Sequence, residues 1–272
     1  MKRFMRARMD SFIPVHLLLP KFETEREMIK ENNVRIDALR KTNGDKFFYL
    51  AEKLSECSEE NPCFSFACPE CIRRFRLKKI SQLAFLCEDY CRWSMVTIVF
   101  FDEMVRDIND LNVFKIKNRL RKQLERAMID DIVIGFIEVD FQVIYQRWVP
   151  HFHLLISTRD TDDTKWKVFS ARFNEQVKQN HIEIVKYMPI KFDDLDDPLK
   201  QIAYICKFMW RRIETIYDRK RGKRKRKYYR LHRLQFANSL TKLDEFKLSD
   251  LEFMYNIRQY GCTLKEYVRD KK

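Results

Sequence analysis

Residues 132–145 and 148–157 are both rich in β-branched and aromatic side chains, and only a short link separates them. Two such runs read as an antiparallel hairpin, which commits the middle of the chain to an antiparallel sheet. Inside the second run lies Pro150-His151-Phe152-His153-Leu154-Leu155-Ile156. Residues two apart on a strand share a face, so His151 and His153 project side by side while Phe152, Leu154 and Ile156 enter the opposite layer. Two imidazoles on one rigid strand are a ready pair of ligands for a divalent metal.

The flanking sequence supplies the other layers. A charged amphipathic stretch over 23–40 and a turn at Asn43-Gly44 precede a cysteine-rich segment, 57–71, and a helical pattern over 72–90. A buried strand is expected over 93–101, and helical spacing over 112–128 (Val113, Ile116, Leu120, Leu124, Met128). After the hairpin come a helix over 164–179, a strand over 181–188 and an acidic loop, 193–198. Pro198 suits a first helical turn, and the helix it opens is expected to run over 199–217. A strand over 228–236 and one or two helices finish the chain. The order of elements points to an α+β fold, a central antiparallel β-sheet flanked by helices. The division expected is 1–91, a helical region with a zinc-binding cysteine cluster; 92–240, a catalytic domain; and 241–272, a C-terminal helical tail.

The formal charge of +14 on 272 residues favours a polyanionic partner, nucleic acid before membrane. Its densest part, Arg219-Lys220-Arg221-Gly222-Lys223-Arg224-Lys225-Arg226-Lys227, repels itself and reads as a mobile loop until it meets phosphates. With Tyr228 and Tyr229 it combines phosphate attraction with aromatic platforms for bases. No apolar run approaches the ~20 residues needed to cross a bilayer. No signal-peptide core follows the charged N-terminus, so a reducing cytoplasm is expected, with cysteines as thiolates instead of disulfides. Four glycines and no Walker-type loop exclude a helicase or ATPase module in this chain.

Three groups of residues carry chemistry. Glu138 and Asp140 sit on the neighbouring strand and share parity, so periodicity leaves both open as a carboxylate ligand beside His151 and His153. Two imidazoles and one carboxylate leave positions for water and substrate oxygens, which suits Mg²⁺ or Mn²⁺ acting on a phosphate. In Tyr204-Ile205-Cys206-Lys207, the apolar stripe of the expected helix runs through Ile202, Cys206, Met209, Ile213 and Tyr217. Tyr204 falls off that stripe, on a flank with Lys200, Lys207 and Arg211, where cations would favour its phenolate. Cys57, Cys63, Cys68 and Cys71 have the makings of a tetrahedral Zn²⁺ site, with Cys87 and Cys91 as a possible substitute pair; Arg73, Arg74 and Arg76 would then face DNA phosphates.

Taken together, these residues resemble the HUH endonuclease superfamily of rolling-circle replication initiators, relaxases and transposases. The likeness spans 93–236 and rests on His151-Phe152-His153, on the Y-x-x-K motif at Tyr204 and Lys207, and on an acidic residue, Glu138, on the preceding strand. The resemblance implies a metal bound by His151, His153 and Glu138, with Tyr204 attacking the scissile phosphate of single-stranded or hairpin origin DNA. The products would be a 5′-phosphotyrosine link and a free 3′-hydroxyl. Lys207 would orient Tyr204, and Arg211, Arg219, Lys220, Arg221, Lys223, Arg224, Lys225, Arg226 and Lys227 would hold DNA. A single catalytic tyrosine is expected, with host helicase and polymerase as partners in replication of a plasmid or phage. A transposase or relaxase keeps this chemistry in another setting, and a non-catalytic zinc-containing nucleic-acid-binding protein is a different class. A metallohydrolase would want further ligands downstream, where His181 and His232 have no matching context.

Overall fold

A computed structural model describes residues 19, 22–88, 93–157, 164–180, 188–218, 222–261 and 263–267. Among the described residues three N-terminal helices, α1 (Glu25–Arg40), α2 (Asp45–Ser55) and α3 (Pro69–Glu88), precede a sheet of seven strands. Thr24 opens α1 with a capping box: its hydroxyl accepts from Glu27 N–H while the Glu27 carboxylate accepts from Thr24 N–H. Strands β1 (Trp93–Val99), β2 (Val133–Gln142), β3 (Arg147–Ser157), β4 (Ile190–Asp194), β5 (Arg212–Asp218), β6 (Lys223–Tyr229) and β7 (Glu252–Tyr255) form the sheet. Its path is β4-β1-β3-β2-β5-β6, with β7 also paired to β2. Between the strands lie α4 (Val113–Arg126), α5 (Thr164–Asn180), α6 (Pro198–Ile205), α7 (Arg233–Glu245) and α8 (Leu248–Leu251). The fold is α+β, as the pattern of runs predicts; only the short β2–β5 contact is parallel.

The two faces of the sheet have different uses. Ile98, Ile137, Phe152 and Leu154 lie on one face, under α4 and α5, with Phe100 packed edge-on against Phe152 and Phe173. On the other face α3 covers the β2 end, where Phe75 meets Phe136, and leaves the middle of the sheet open. A continuous buried core joins α1–α3 to the sheet. Lys79 of α3 and Glu252 of β7 form an ion pair of 2.8 Å, with side chains only 2% and 4% exposed. Removing one partner would leave a buried charge, so this pair holds the N-terminal helices to the sheet.

The expected helix over 199–217 stops at Ile205, because β2 captures the chain that follows. Arg211 N–H donates to Asp140 Oδ1 at 2.8 Å, Phe141 N–H donates to Arg211 O at 2.8 Å, and Arg212 begins β5. Those bonds satisfy an open strand edge, which outweighs helical spacing that itself continues unbroken. Residues 223–229 of the basic block are likewise a strand and not a loop; 219–221 lie outside the described residues. Pleating sends alternate cations to opposite faces, which lowers the repulsion that argued for a loop.

Three further expectations change. The strand expected over 181–188 falls mostly on residues outside the description; β4 begins at Ile190, and Asp193 and Asp194 end it instead of lying in a loop. The strand expected over 228–236 gives way at Arg233 to α7. The tail over 241–272 is not helical throughout: β7 joins the main sheet, and β8 (Ile257–Tyr260) pairs with β9 (Thr263–Glu266). Phe253, Tyr255 and Ile257 are buried while Met254 and Asn256 between them are half-buried, the period of a strand.

Gly135 pins the hairpin. A Cβ built there would lie 2.0 Å from the His153 carbonyl oxygen and 2.8 Å from Leu154 Cα, both backbone atoms of β3. Gly135→Ala is therefore expected to destabilise the protein by ~3 kcal/mol or more in chemical denaturation, at the overpacking limit. A loss below ~1 kcal/mol would show that β2 and β3 can separate without cost.

Candidate active site

Pairing of β2 with β3 sets Glu138 opposite His151, Phe136 opposite His153 and Asp140 opposite Val149. The carboxylates and imidazoles consequently share one sheet face, with Thr97 and Val99 of β1 beside them. Glu138 Oε2 stands 3.8 Å from both His151 Nε2 and His153 Nε2. That is too long for a hydrogen bond. Ligands held at ~2.1 Å from one ion stand between ~3 Å (adjacent) and ~4.2 Å (opposite) apart, so one cation fits among these atoms. His153 Nε2 and Glu138 Oε1 are buried without a hydrogen-bond partner. The other imidazole nitrogens are held: His153 Nδ1 lies 3.0 Å from Thr97 Oγ1 and His151 Nδ1 3.3 Å from Val149 O. This is how ligating histidines are oriented.

Glu138 and Asp140, equivalent by parity, differ in their partners. One Asp140 oxygen accepts from Arg211 N–H, and the other lies 3.9 Å from His151 alone. Asp140 thus anchors the segment after α6, and Glu138 is the carboxylate that reaches both imidazoles. Burial pushes the Glu138 carboxyl well above its ordinary value, against the lowering effect of Lys207. It also raises Asp140 and lowers His151, and lowers His153 furthest, with the neighbouring His151 adding to the effect. Both imidazoles are neutral at neutral pH, the form that ligates metal.

Tyr204, near the end of α6, brings its ring to 4.9 Å from the His153 ring, centroid to centroid. It is 42% exposed and opens onto a cleft of about 390 Å³ lined also by His151, His153, Asp140, Arg226 and Tyr228. Lys207 Nζ lies 5.2 Å from the Tyr204 ring centre, and Lys207 N–H donates to Tyr204 O. The expectation that cations favour the phenolate is overturned: burial, then the charge of Glu138, raises the Tyr204 hydroxyl above the ordinary phenol value. Lys200 does not join this group, pairing instead with Asp197 at 3.4 Å. Arg211 lines a neighbouring cavity with Arg35, Arg76 and Lys207 instead of the cleft itself.

The four N-terminal cysteines come together. Sγ–Sγ distances are 3.6 Å for Cys57–Cys71, 3.7 Å for Cys63–Cys71 and 3.5 Å for Cys57–Cys68. A tetrahedron of Zn–S bonds of ~2.3 Å has edges of ~3.8 Å, so the group is able to hold a metal such as zinc. Hydrogen bonds from Cys63 and then Cys68 hold the Cys71 thiol down at about 2. Cys87 is a separate buried thiol that burial pushes up to about 12, and Cys91 lies outside the described residues. Arg73, Arg74 and Arg76 do not present themselves to phosphates. Arg74 donates to Ser58 O and Glu59 O and pairs with Glu70, Arg73 donates to Glu23 O, and Arg76 pairs with Glu23.

The cysteine loop reaches the candidate site through aromatic rings, a link sequence reading missed. Phe66, between Cys63 and Cys68, packs 5.3 Å from Phe208, which follows Lys207. Phe208 in turn lies 4.9 Å from Phe136, the residue opposite His153. Regular spacing of Phe66, Phe75, Phe136 and Phe208 along the sequence does not exist, so no periodic signal could have found the cluster.

Purified protein is expected to carry a tightly bound zinc ion that Cys68→Ser with Cys71→Ser removes, lowering the thermal midpoint by ~10 °C or more, read by metal analysis and calorimetry. Unchanged zinc content would place the ion elsewhere. In metal-free protein, His153 should cost stability as pH drops below 6.5, because the unfolded chain takes up protons that the buried ring refuses, while the raised carboxyls of Glu138 and Asp140 act in the opposite sense. His153→Gln should therefore shift the slope of thermal midpoint against pH toward greater stability at the acid end, and an identical slope would contradict the burial effect. No family model, curated protein or solved structure matches this chain.

Proposed function

We propose that this protein is a metal-dependent, single-tyrosine HUH-type endonuclease that nicks and rejoins single-stranded DNA. The observation that carries the reading is the convergence of His151, His153 and Tyr204 on one cleft, with buried Glu138 3.8 Å from both imidazoles. The buried His153 Nε2 and Glu138 Oε1, both without a hydrogen-bond partner, and the Tyr204 ring against His153 support this reading.

A divalent ion held by Glu138, His151 and His153, Mg²⁺ or Mn²⁺, supplies Lewis-acid polarisation of a phosphate oxygen and charge neutralisation. Within the chain, the Tyr204 hydroxyl oxygen forms the new P–O bond while the bond from phosphorus to the 3′-oxygen breaks. The phenol gives up its proton and the leaving 3′-oxygen gains one, so the products are a 5′-phosphotyrosine and a free 3′-hydroxyl. The phosphodiester energy is kept for rejoining. Lys207, over the Tyr204 ring, positions the nucleophile and adds positive charge near the phosphate. Asp140 holds the strand that follows α6 and so fixes where Tyr204 stands.

Single-stranded or hairpin origin DNA is the substrate this chemistry serves, and initiation of rolling-circle replication of a plasmid or phage, with host helicase and polymerase, is its setting. Incubation with labelled single-stranded DNA and Mn²⁺ should give a covalent protein–DNA adduct on denaturing gels. Tyr204→Phe should abolish it and His151→Ala should reduce it at least ~10³-fold with the fold retained. An undiminished adduct from Tyr204→Phe would end the tyrosine assignment.

A further inference from the structure

Strand β6 faces the cleft with only half of its residues. Arg226 stands opposite Thr215 and Tyr228 opposite Ile213, and all four line the cleft that holds His151, His153 and Tyr204. By strand alternation Lys225, Lys227 and Tyr229 face the other way. On that far side the Arg212 guanidinium lies 5.1 Å from the Tyr229 ring centre, and Glu214 stands opposite Lys227. Tyr228 is half exposed, with its ring turned to the cleft.

The hairpin is firmly placed. Phe141 N–H and Val143 N–H donate to Arg211 O and Ile213 O, which fastens β5 to β2. Arg230, just after β6, binds both Glu31 oxygens at 3.0 and 2.6 Å. The Arg226 guanidinium and the Tyr228 ring thus line the cleft together, on the hairpin side of the histidines.

We infer that Arg226 and Tyr228 form a nucleotide subsite beside the reacting phosphate: Tyr228 stacks on an unpaired base and Arg226 pairs with the phosphate attached to it. This rests on the strand-transfer reading for the identity of the substrate, single-stranded DNA. It divides the basic block into residues that touch substrate and residues that do not. It also assigns Tyr228 a stacking role, which a phenyl ring performs equally well, in place of a nucleophilic one.

The test measures binding separately from chemistry. Anisotropy of a labelled oligothymidine of ~20 nucleotides is followed with Tyr204→Phe protein, to which second changes are added. Tyr228→Ala should weaken binding about tenfold, while Tyr228→Phe and Tyr229→Ala stay within about twofold, and Arg226→Gln should lower the salt slope by about 0.7. Melting curves establish that each variant folds. Equal losses from Tyr228→Ala and Tyr229→Ala, no loss from Tyr228→Ala, or failure of Tyr228→Phe to restore binding would overturn the subsite. The adduct assay with Tyr204 restored keeps the two readings apart. Alternating binding losses without any adduct would sink strand transfer alone, and an adduct without the alternation would sink the subsite alone.

Discussion

Register between β2 and β3 is the constraint on which the rest of this molecule depends. Because side chains alternate strictly along a strand, a slip by one residue would send Glu138 to the face opposite the histidines and bury Phe152 where water now enters. Gly135 makes that register possible by leaving room for the His153 carbonyl. The arrangement is costly to the fold: Glu138, Asp140, His151 and His153 are all buried, and two of their polar atoms lack a hydrogen bond. Unsatisfied buried groups cost ~1–3 kcal/mol each, which a protein retains where the group has another partner to meet. A cation is a partner that the three ligand atoms are placed to hold.

Around this hairpin the structure adds elements that meet at the segment from Tyr204 to Arg212. Asp140 caps Arg211 from below, β2 pairs with Arg212 and Ile213, and Phe208 sits among Phe66, Phe75 and Phe136. The four-cysteine loop therefore does more than gather four thiols able to hold a metal. It sets Phe66 against the residue next to Lys207, while Arg35 donates to Ala67 O within the same loop and pairs with Glu31. Glu31 in turn grips Arg230 beyond β6. N-terminal helices, the segment carrying Tyr204 and Lys207, and the basic hairpin are thus joined by short contacts.

Local pattern made the centre of the molecule readable and left its periphery obscure. The paired runs, the His-x-His face, the start of the helix at Pro198 and the cysteine group all depend on residues close in sequence, so spacing alone exposed them. The choice between Glu138 and Asp140 does not, because it turns on Arg211, a partner far along the chain. The helical stripe through Cys206, Met209 and Ile213 was genuine as a pattern, yet tertiary pairing with β2 decided the conformation. The basic block misled in the same way, since charge density along a sequence does not reveal which residues a pleat will separate. In the C-terminal segment the alternation of Phe253, Tyr255 and Ile257 was present to be read and was too short to stand out.

Three tyrosines, Tyr145, Tyr204 and Tyr228, line the cleft beside the histidines, and Tyr204 lies against the candidate metal ligand His153. The most direct test of the centre is to digest the protein after reaction with DNA and locate the nucleotide-bearing peptide by mass spectrometry. A nucleotide attached through its 5′-phosphate to Tyr204 is the expected result. A nucleotide on Tyr228, on any other residue, or cleaved DNA with no modified peptide would contradict it.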